Sequence, residues 1–418
     1  MVKSLFKVST PQEVIKTIKN HLDIGKILKK NREIVNIKDS LYRVLVEEII
    51  SPGNLPGFNR STMDGYAIRA EDSFGASESL PSYLTVIGEI KMGDKPEFKI
   101  NPGEGAKIST GGMLPEGANA VMMSEYTEQI DDTTIEVRKS ISPWENAVRE
   151  DEDLKSGEII LRKGHRLRPQ DIGVLAGIGR TNIEIYKKPK IAIISTGDEI
   201  IPTKCEPQIG QVRDINSYTL GACIEEAGGI PIYRGIIKDE VNLLEQEIRE
   251  IMGKDTAEII TISGGSSMGA RDITLEVLNK LGKPGVLIYG VSVKPGKPTI
   301  VAIANNKPIF GLSGHPVSAM IIFDLFVRPL ISWLQGGEYN YGYKREIEAE
   351  LTCNVVSDSG REDYIRVFVH QEGKKFYAKP VLGKSGLIST MVRASGLIKI
   401  GLNIEGLEKG SKVVVKLF

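Results

Sequence analysis

Six short apolar runs between residues 190 and 313 constrain this chain more than any other feature. They are KIAIIS (190–195), IPIYRGII (230–237), EIITIS (258–263), GVLIYG (285–290), PTIVAI (298–303) and PIFGLS (308–313). Their length and β-branched content suit strands covered on both faces rather than strands that alternate apolar and polar. Several alternate with helical stretches at 216–227, 240–252, 272–281 and 315–334, and Val241, Leu244, Ile248 and Ile251 share one stripe of the second. Strands alternating with helices imply an α/β domain built on a mostly parallel sheet.

Open sheets of this kind bind ligands beyond the carboxyl ends of their strands. The first strand runs into Thr196, Gly197, Asp198 and Glu199, and the second into Lys238, Asp239 and Glu240. The third closes on Ser263 and runs into Gly264, Gly265, Ser266 and Ser267, with Asp272 beyond. Glycine turns ahead of a helix leave backbone N–H groups open to phosphate. Carboxylates beside such a turn point to Mg²⁺, which is held by one or two acids together with substrate phosphates. Lys294 and Lys297 in VKPGKPT, and Ser313 and Gly314 in GLSGHPVSA, add groups suited to a polyanion. Each signal alone has an ordinary reading: Asp198 and Glu199 as a helix cap, Asp239 as a solvated turn residue, SGGSS as a flexible loop. His315 has no second His or Cys nearby to make a metal site. Recurrence of acids and glycine turns along one edge is what gives them weight. No GxSxG, HExxH or GxGxxG is present, which disfavours an α/β-hydrolase, a zincin and a nicotinamide dehydrogenase. The residues point to metal-assisted handling of a phosphate or pyrophosphate ester.

The remaining sequence frames this domain. Thr10, Pro11 and Glu13 make a capping box before Val14, Ile15, Ile18 and Leu22, so a helix opens the chain. DSLYRVLVEEII (39–50) is a second amphipathic segment, stopped by Ser51-Pro52. Residues 80–141 are short β-like runs between Gly, Pro and Asp clusters, and RPQDIGVLAGIGR reads as a helix ended by glycine. After Gly336 come alternating strands that read as a small β-barrel or sandwich. At 418 residues, two to four domains are expected. Lys plus Arg and Asp plus Glu are 54 each, which disfavours binding to nucleic acid or anionic lipid through general charge. Three scattered cysteines, Cys205, Cys223 and Cys353, lack zinc spacing and suit a reducing cytoplasm. No apolar run is expected to span a membrane, and the N-terminal residues do not read as a signal peptide.

GFNRSTMDGYAIR (57–69) is the least expected stretch, because its Asp64-Gly65 is by itself a common turn. Together with ISTGGMLPEGANAVM, STGDEI, SGGSSMGARD, VKPGKP, LSGHPVSAM and SGLISTMVRASGLIKI, in that order, it resembles the MoeA family, the molybdopterin molybdenumtransferases. The resemblance covers nearly the whole chain. It implies four domains: 1–20 with 181–332 as the α/β molybdopterin-binding domain, 21–50 with 146–180 as a discontinuous connecting domain, 51–145 as a β-rich module, and 333–418 as a C-terminal β-barrel. It also implies a homodimer and insertion of molybdate or tungstate into adenylylated molybdopterin, with release of AMP in a Mg²⁺-dependent step. By motif, Asp64, Thr110, Asp153, Glu199, Asp239 and Asp272 match the family's functional positions, and Pro295 and Pro298 match the prolines that shape the pocket. Asp239 and Asp272 are the expected Mg²⁺ ligands. The adenylyltransferase of the preceding step is an expected partner. Two alternatives remain at this stage: the adenylyltransferase activity itself, and a non-catalytic scaffold. Two departures stand out, His315 where the family commonly has Asn and Asp151 where it often has Gly.

Overall fold

The computed structural model describes residues 8–264, 268–337 and 346–418, without the side chains of 268–272. Gly265, Ser266 and Ser267 lie outside the described residues. Asp272 is placed on the helix Met268–Lys280, but its side chain lies outside them as well.

The α/β unit is a six-stranded sheet in the order Ile230–Ile237, Lys190–Thr196, Ile259–Gly264, Lys307–Leu312, Ile300–Ala304, Pro284–Tyr289. The first four strands are mutually parallel. The last two pairings are antiparallel, and Asn305 and Asn306, at φ 51° and 62°, make the tight turn that joins Ile300–Ala304 to Lys307–Leu312. The sheet is therefore mixed, with its parallel half carrying the acidic loops.

Both faces are covered, which explains the unbroken apolar runs. Ile191 and Ile193 pack with Leu220, Ile224 and the helical stretch 316–334 on one side. Ala192 and Ile194 pack with Leu244, Ile248, Ile251, Val277 and Leu278 on the other. The N-terminal helix Pro11–His21 joins the first face through Val14 and Ile18, and its capping box is formed as the sequence suggests. Burying each of these aliphatic side chains is worth about 1.5–3 kcal/mol.

The stretch 316–334 corrects the membrane expectation. By length and apolar content it could cross a bilayer. Here it runs as Pro316–Ile322, a wider π turn Phe323–Val327, and Arg328–Leu334, with Phe323, Phe326, Leu330 and Leu334 fully buried in the α/β core.

Three other units surround the sheet. Arg32–Asn36 pairs with Asn182–Tyr186 and Ile49–Ile50 with Ile159–Leu161, and a core of Leu45, Ile49, Leu161, Leu167, Leu175 and Ile185 joins these distant segments. The amphipathic segment 39–50 is irregular here, with turns, isolated bridges that include Leu45 to Ile185, and the short strand Ile49–Ile50. A second six-stranded sheet holds Gly65–Ile68 between Ala120–Met123 and Glu104–Ile108. In the C-terminal unit, Glu362–Glu372, Lys375–Pro380, Glu346–Leu351, Lys412–Leu417 and Gly396–Ile400 close on themselves as a five-stranded barrel. Val293–Lys294, from the α/β unit, adds a sixth strand beside Glu362–Asp363.

Candidate functional site

Strand register assembles one edge of the α/β sheet. Thr196 lies opposite both Ile237 and Gly264, and Ser263 lies opposite Leu312. Four adjacent parallel strands thus end level, so the loops at 197–199, 238–240 and 313–315, with Gly264 at its strand's end, form one rim. Gly264 is fixed by close approach: a Cβ there would sit 2.0 Å from the Thr196 carbonyl oxygen, and its φ is +150°. Gly197 lies under the Glu199 carboxylate, 2.8 Å from where a Cβ would be.

Asp198, Glu199 and Asp239 come together on this rim. The Asp239 N–H donates to Asp198 Oδ1 over 3.4 Å. Burial, then the charges of Asp198 and Glu199, push the Asp239 carboxyl above its ordinary value. No lysine or arginine pairs with any of these three acids among the described residues. Nor do three candidate ligands among the described residues converge closely enough to hold a metal unaided. Asp198, Glu199 and Asp239 supply the hard oxygen donors that a cation shared with a phosphate would need.

The lysine loop is tied to the barrel. Lys294 Nζ lies 3.8 Å from Asp363 Oδ2, and Asp363 is fully buried with Arg361 Nε on its other oxygen at 2.9 Å. Lys297 is exposed, and its carbonyl accepts from the Val291 and Thr299 N–H groups. Between Pro295 and Pro298, Gly296 has φ +123° and lies so near Ile322 that a Cβ would come within 2.6 Å. His315 does not read as a metal ligand: its Nδ1 lies 3.0 Å from Ser385 Oγ, linking the Ser313–Gly314 loop to the C-terminal unit.

Asp64 and Thr110 meet on the β module. Asp64 Oδ1 accepts from the Thr110 N–H at 2.7 Å and from its hydroxyl at 3.1 Å, and both residues are exposed. Gly65 is extended, so its need is for room rather than positive φ: a Cβ there would come 1.9 Å from the Met122 carbonyl oxygen. Asp153 is exposed, with its N–H donated to Leu55 O. The nearby Asp151 has φ 67°, where glycine is the easiest residue and Asp one of the tolerated ones. No hydrogen bond among the described residues joins Asp64, Thr110 or Asp153 to the α/β rim.

Sequence reasoning missed the residues beneath the rim. Asp214 accepts from the Ser217 N–H at 3.0 Å and its hydroxyl at 2.6 Å, and Ser217 Oγ lies 2.9 Å from Ser195 Oγ. Asn216 Nδ2 donates to Ser263 Oγ at 2.5 Å and to Gly314 O at 2.9 Å. The only signal was RDINS ahead of a helix, which reads equally well as ordinary capping chemistry.

The chain matches three family descriptions in order: the MoeA N-terminal region, domains I and II, over 9–179; a "probable molybdopterin binding domain" over 192–333; and the MoeA C-terminal region, domain IV, over 348–418. A molybdopterin molybdenumtransferase of Bacillus subtilis is 33% identical over 92% of this chain and 89% of its own length. The chain belongs to the MoeA family. A second molybdopterin molybdenumtransferase, from Haemophilus influenzae, is 32% identical over 92% of this chain and 94% of its own. The solved structure of the molybdopterin biosynthesis MoeA protein from Pyrococcus horikoshii superposes with a TM-score of 0.81 at 35% identity, covering 98% of this chain and 99% of that one. The fold of this MoeA family member is thus that of its solved relative along its full length.

Proposed function

We propose that this chain is a molybdopterin molybdenumtransferase, inserting molybdate or tungstate into adenylylated molybdopterin and releasing AMP. The observation that carries this reading is the convergence of Asp198, Glu199 and Asp239 on the strand-end rim that also holds Gly264, in a chain whose relatives bear that name. The substrate's pyrophosphate binds across this rim, with the N–H groups around Gly264 and the lysine loop turned toward its oxygens. Asp239 and Asp272 would hold Mg²⁺ together with the phosphates, and the bound ion would supply Lewis-acid activation of the bond to AMP. Burial and the neighbouring acids oppose the charge on Asp239, and a bound cation would offset that opposition. The β module presents the Asp64–Thr110 pair to the same chemistry from the partner of a homodimer.

Molybdenum itself goes to the dithiolene sulfurs of the substrate. Burial, aided by Glu226 and Asp324, raises the Cys223 thiol to about 11, so it stays protonated near neutral pH. The protein works in the cytoplasm, downstream of the adenylyltransferase that supplies its substrate.

Incubation with adenylylated molybdopterin, Mg²⁺ and molybdate is expected to release AMP. The double variant Asp239→Asn, Asp272→Asn is expected to lower that rate by about a hundredfold or more. Release at the wild-type rate by the double variant would overturn the metal assignment. ATP-dependent adenylylation without AMP release would place the chain one step earlier, and binding without turnover would make it a scaffold.

A further inference from the structure

The two lysines of the VKPGKP loop are held differently. Ile300, just after this loop, pairs with both Gly311 and Tyr289, so residues 290–299 leave the sheet at the edge where the 313–315 loop begins. The loop therefore lies along the rim. Lys297 is exposed and has no acidic partner among the described residues. Lys294 is also open to solvent, with 54% of its side chain exposed, but its ammonium lies 3.8 Å from Asp363 Oδ2. Asp363 stands directly opposite Lys294 in the pairing of Val293–Lys294 with the barrel strand, so the two side chains share one face.

Asp363 is fully buried, which a carboxylate rarely is unless it is paired. Its Oδ1 accepts from Arg361 Nε at 2.9 Å, while Oδ2 has no hydrogen-bond partner and lies toward the Lys294 ammonium. A buried carboxylate oxygen left bare is costly, so it favours rotamers that keep the ammonium close. A lysine without such an anchor samples many rotamers that a ligand has to order. Arg361 already offsets the Asp363 charge, which leaves the Lys294 charge for a ligand. An ammonium has three donors, and one turned to Asp363 leaves two for a phosphate. Resting on the function proposed above, we propose that Asp363, from the C-terminal barrel, is a positioning residue that holds the Lys294 ammonium on the rim for the substrate's pyrophosphate. The barrel thereby acts on phosphate binding through a side chain that never touches the substrate.

The test is a double-mutant cycle on binding of inorganic pyrophosphate with Mg²⁺ to the full chain. It compares wild type, Asp363→Asn, Lys294→Ala and the double variant, with melting temperatures followed in parallel. Asp363→Asn is expected to weaken pyrophosphate binding by about fivefold, Lys294→Ala by about tenfold, and the double variant no further than Lys294→Ala. Asp363→Ser, which also removes the charge, stands in if Asp363→Asn fails to fold. A merely structural role would cut affinity by the same factor whether or not Lys294 is present, and that result would overturn the proposal. Tighter binding by Asp363→Asn would make Asp363 a competitor for the ammonium and overturn it too, as would unchanged binding. If wild type bound no pyrophosphate yet released AMP from adenylylated molybdopterin, this inference alone would fail; if it did neither, the function reading would fail with it.

Discussion

Asp239 shows how a single residue on the rim trades stability for chemistry. Its folded-state value lies above the ordinary 3.8 because burial and then Asp198 and Glu199 oppose its charge. A carboxyl raised on folding makes the folded state relatively more stable below the unfolded value, and that contribution is lost as pH rises through the folded value. At neutral pH the ionised group is therefore a net liability. Asp239→Asn keeps the shape and removes the charge, so its melting temperature at pH 7 should exceed that of wild type by roughly a degree or two while AMP release collapses. The gain should shrink as pH falls through the raised value towards 3.8, where wild-type Asp239 is itself neutral. Thermal scans from pH 3.5 to pH 8 without divalent cation check this. A lower melting temperature at pH 7, or a gain that does not vary with pH, would show that the repulsion is absent. Asp151 makes a related point, since its φ of 67° is one that glycine adopts most easily and Asp tolerates.

At the scale of elements, the strand Gly65–Ile68 carries Asp64 to the surface, and its first residue is set by contact rather than by turn chemistry. The strand is hydrogen-bonded to Glu104–Ile108 and Ala120–Met123, so it cannot shift to admit a side chain. Gly65→Ala would drive a Cβ against the Met122 carbonyl, destabilising the module by about 3 kcal/mol or more and displacing Asp64 from Thr110. Urea unfolding followed by a probe in residues 51–145 should show the loss, and unchanged stability would mean the sheet yields more easily than its pairing suggests. The sequence already pointed to the buried strands and the capping box, because unbroken Ile-rich runs and Thr10-Pro11-x-Glu13 are local signals with few alternatives. It did not reveal that 39–50 is mostly irregular, because Val44, Leu45, Val46 and Ile49 satisfy an amphipathic pattern while their burial is decided by partners at 159–186. Nor did it reveal the turn at Asn305-Asn306 that reverses the sheet. The acids at the strand ends were legible because strand ends and glycine turns mark a binding edge; Asn216, Asp214 and Ser217 were not, because polar residues at a helix start look alike whether they cap or support a site.

For the molecule as a whole, the two groups of site residues belong to different units. Asp64 and Thr110 sit on the β module, Asp198, Glu199 and Asp239 sit on the α/β rim, and a connecting unit built from distant segments separates them along the chain. If each cleft of a twofold homodimer takes its rim from one chain and its Asp64–Thr110 pair from the other, the two clefts are identical and each needs both chains. Asp64→Asn and Asp239→Asn homodimers should then each be severely impaired. A mixed dimer of the two variants has one cleft with both defects and one with neither. With equal amounts and random assortment, about half the dimers are mixed and half of their clefts intact, so activity should return to about a quarter of wild type. AMP release from coexpressed variants carrying different affinity tags, purified through both tags in turn, measures this directly, and the doubly purified dimers alone should reach about half of wild-type activity. If those dimers stayed as inactive as the parents while wild-type/variant controls remained active, Asp64 would serve its own chain, and the β module would have to reach its own rim by moving about the connecting unit.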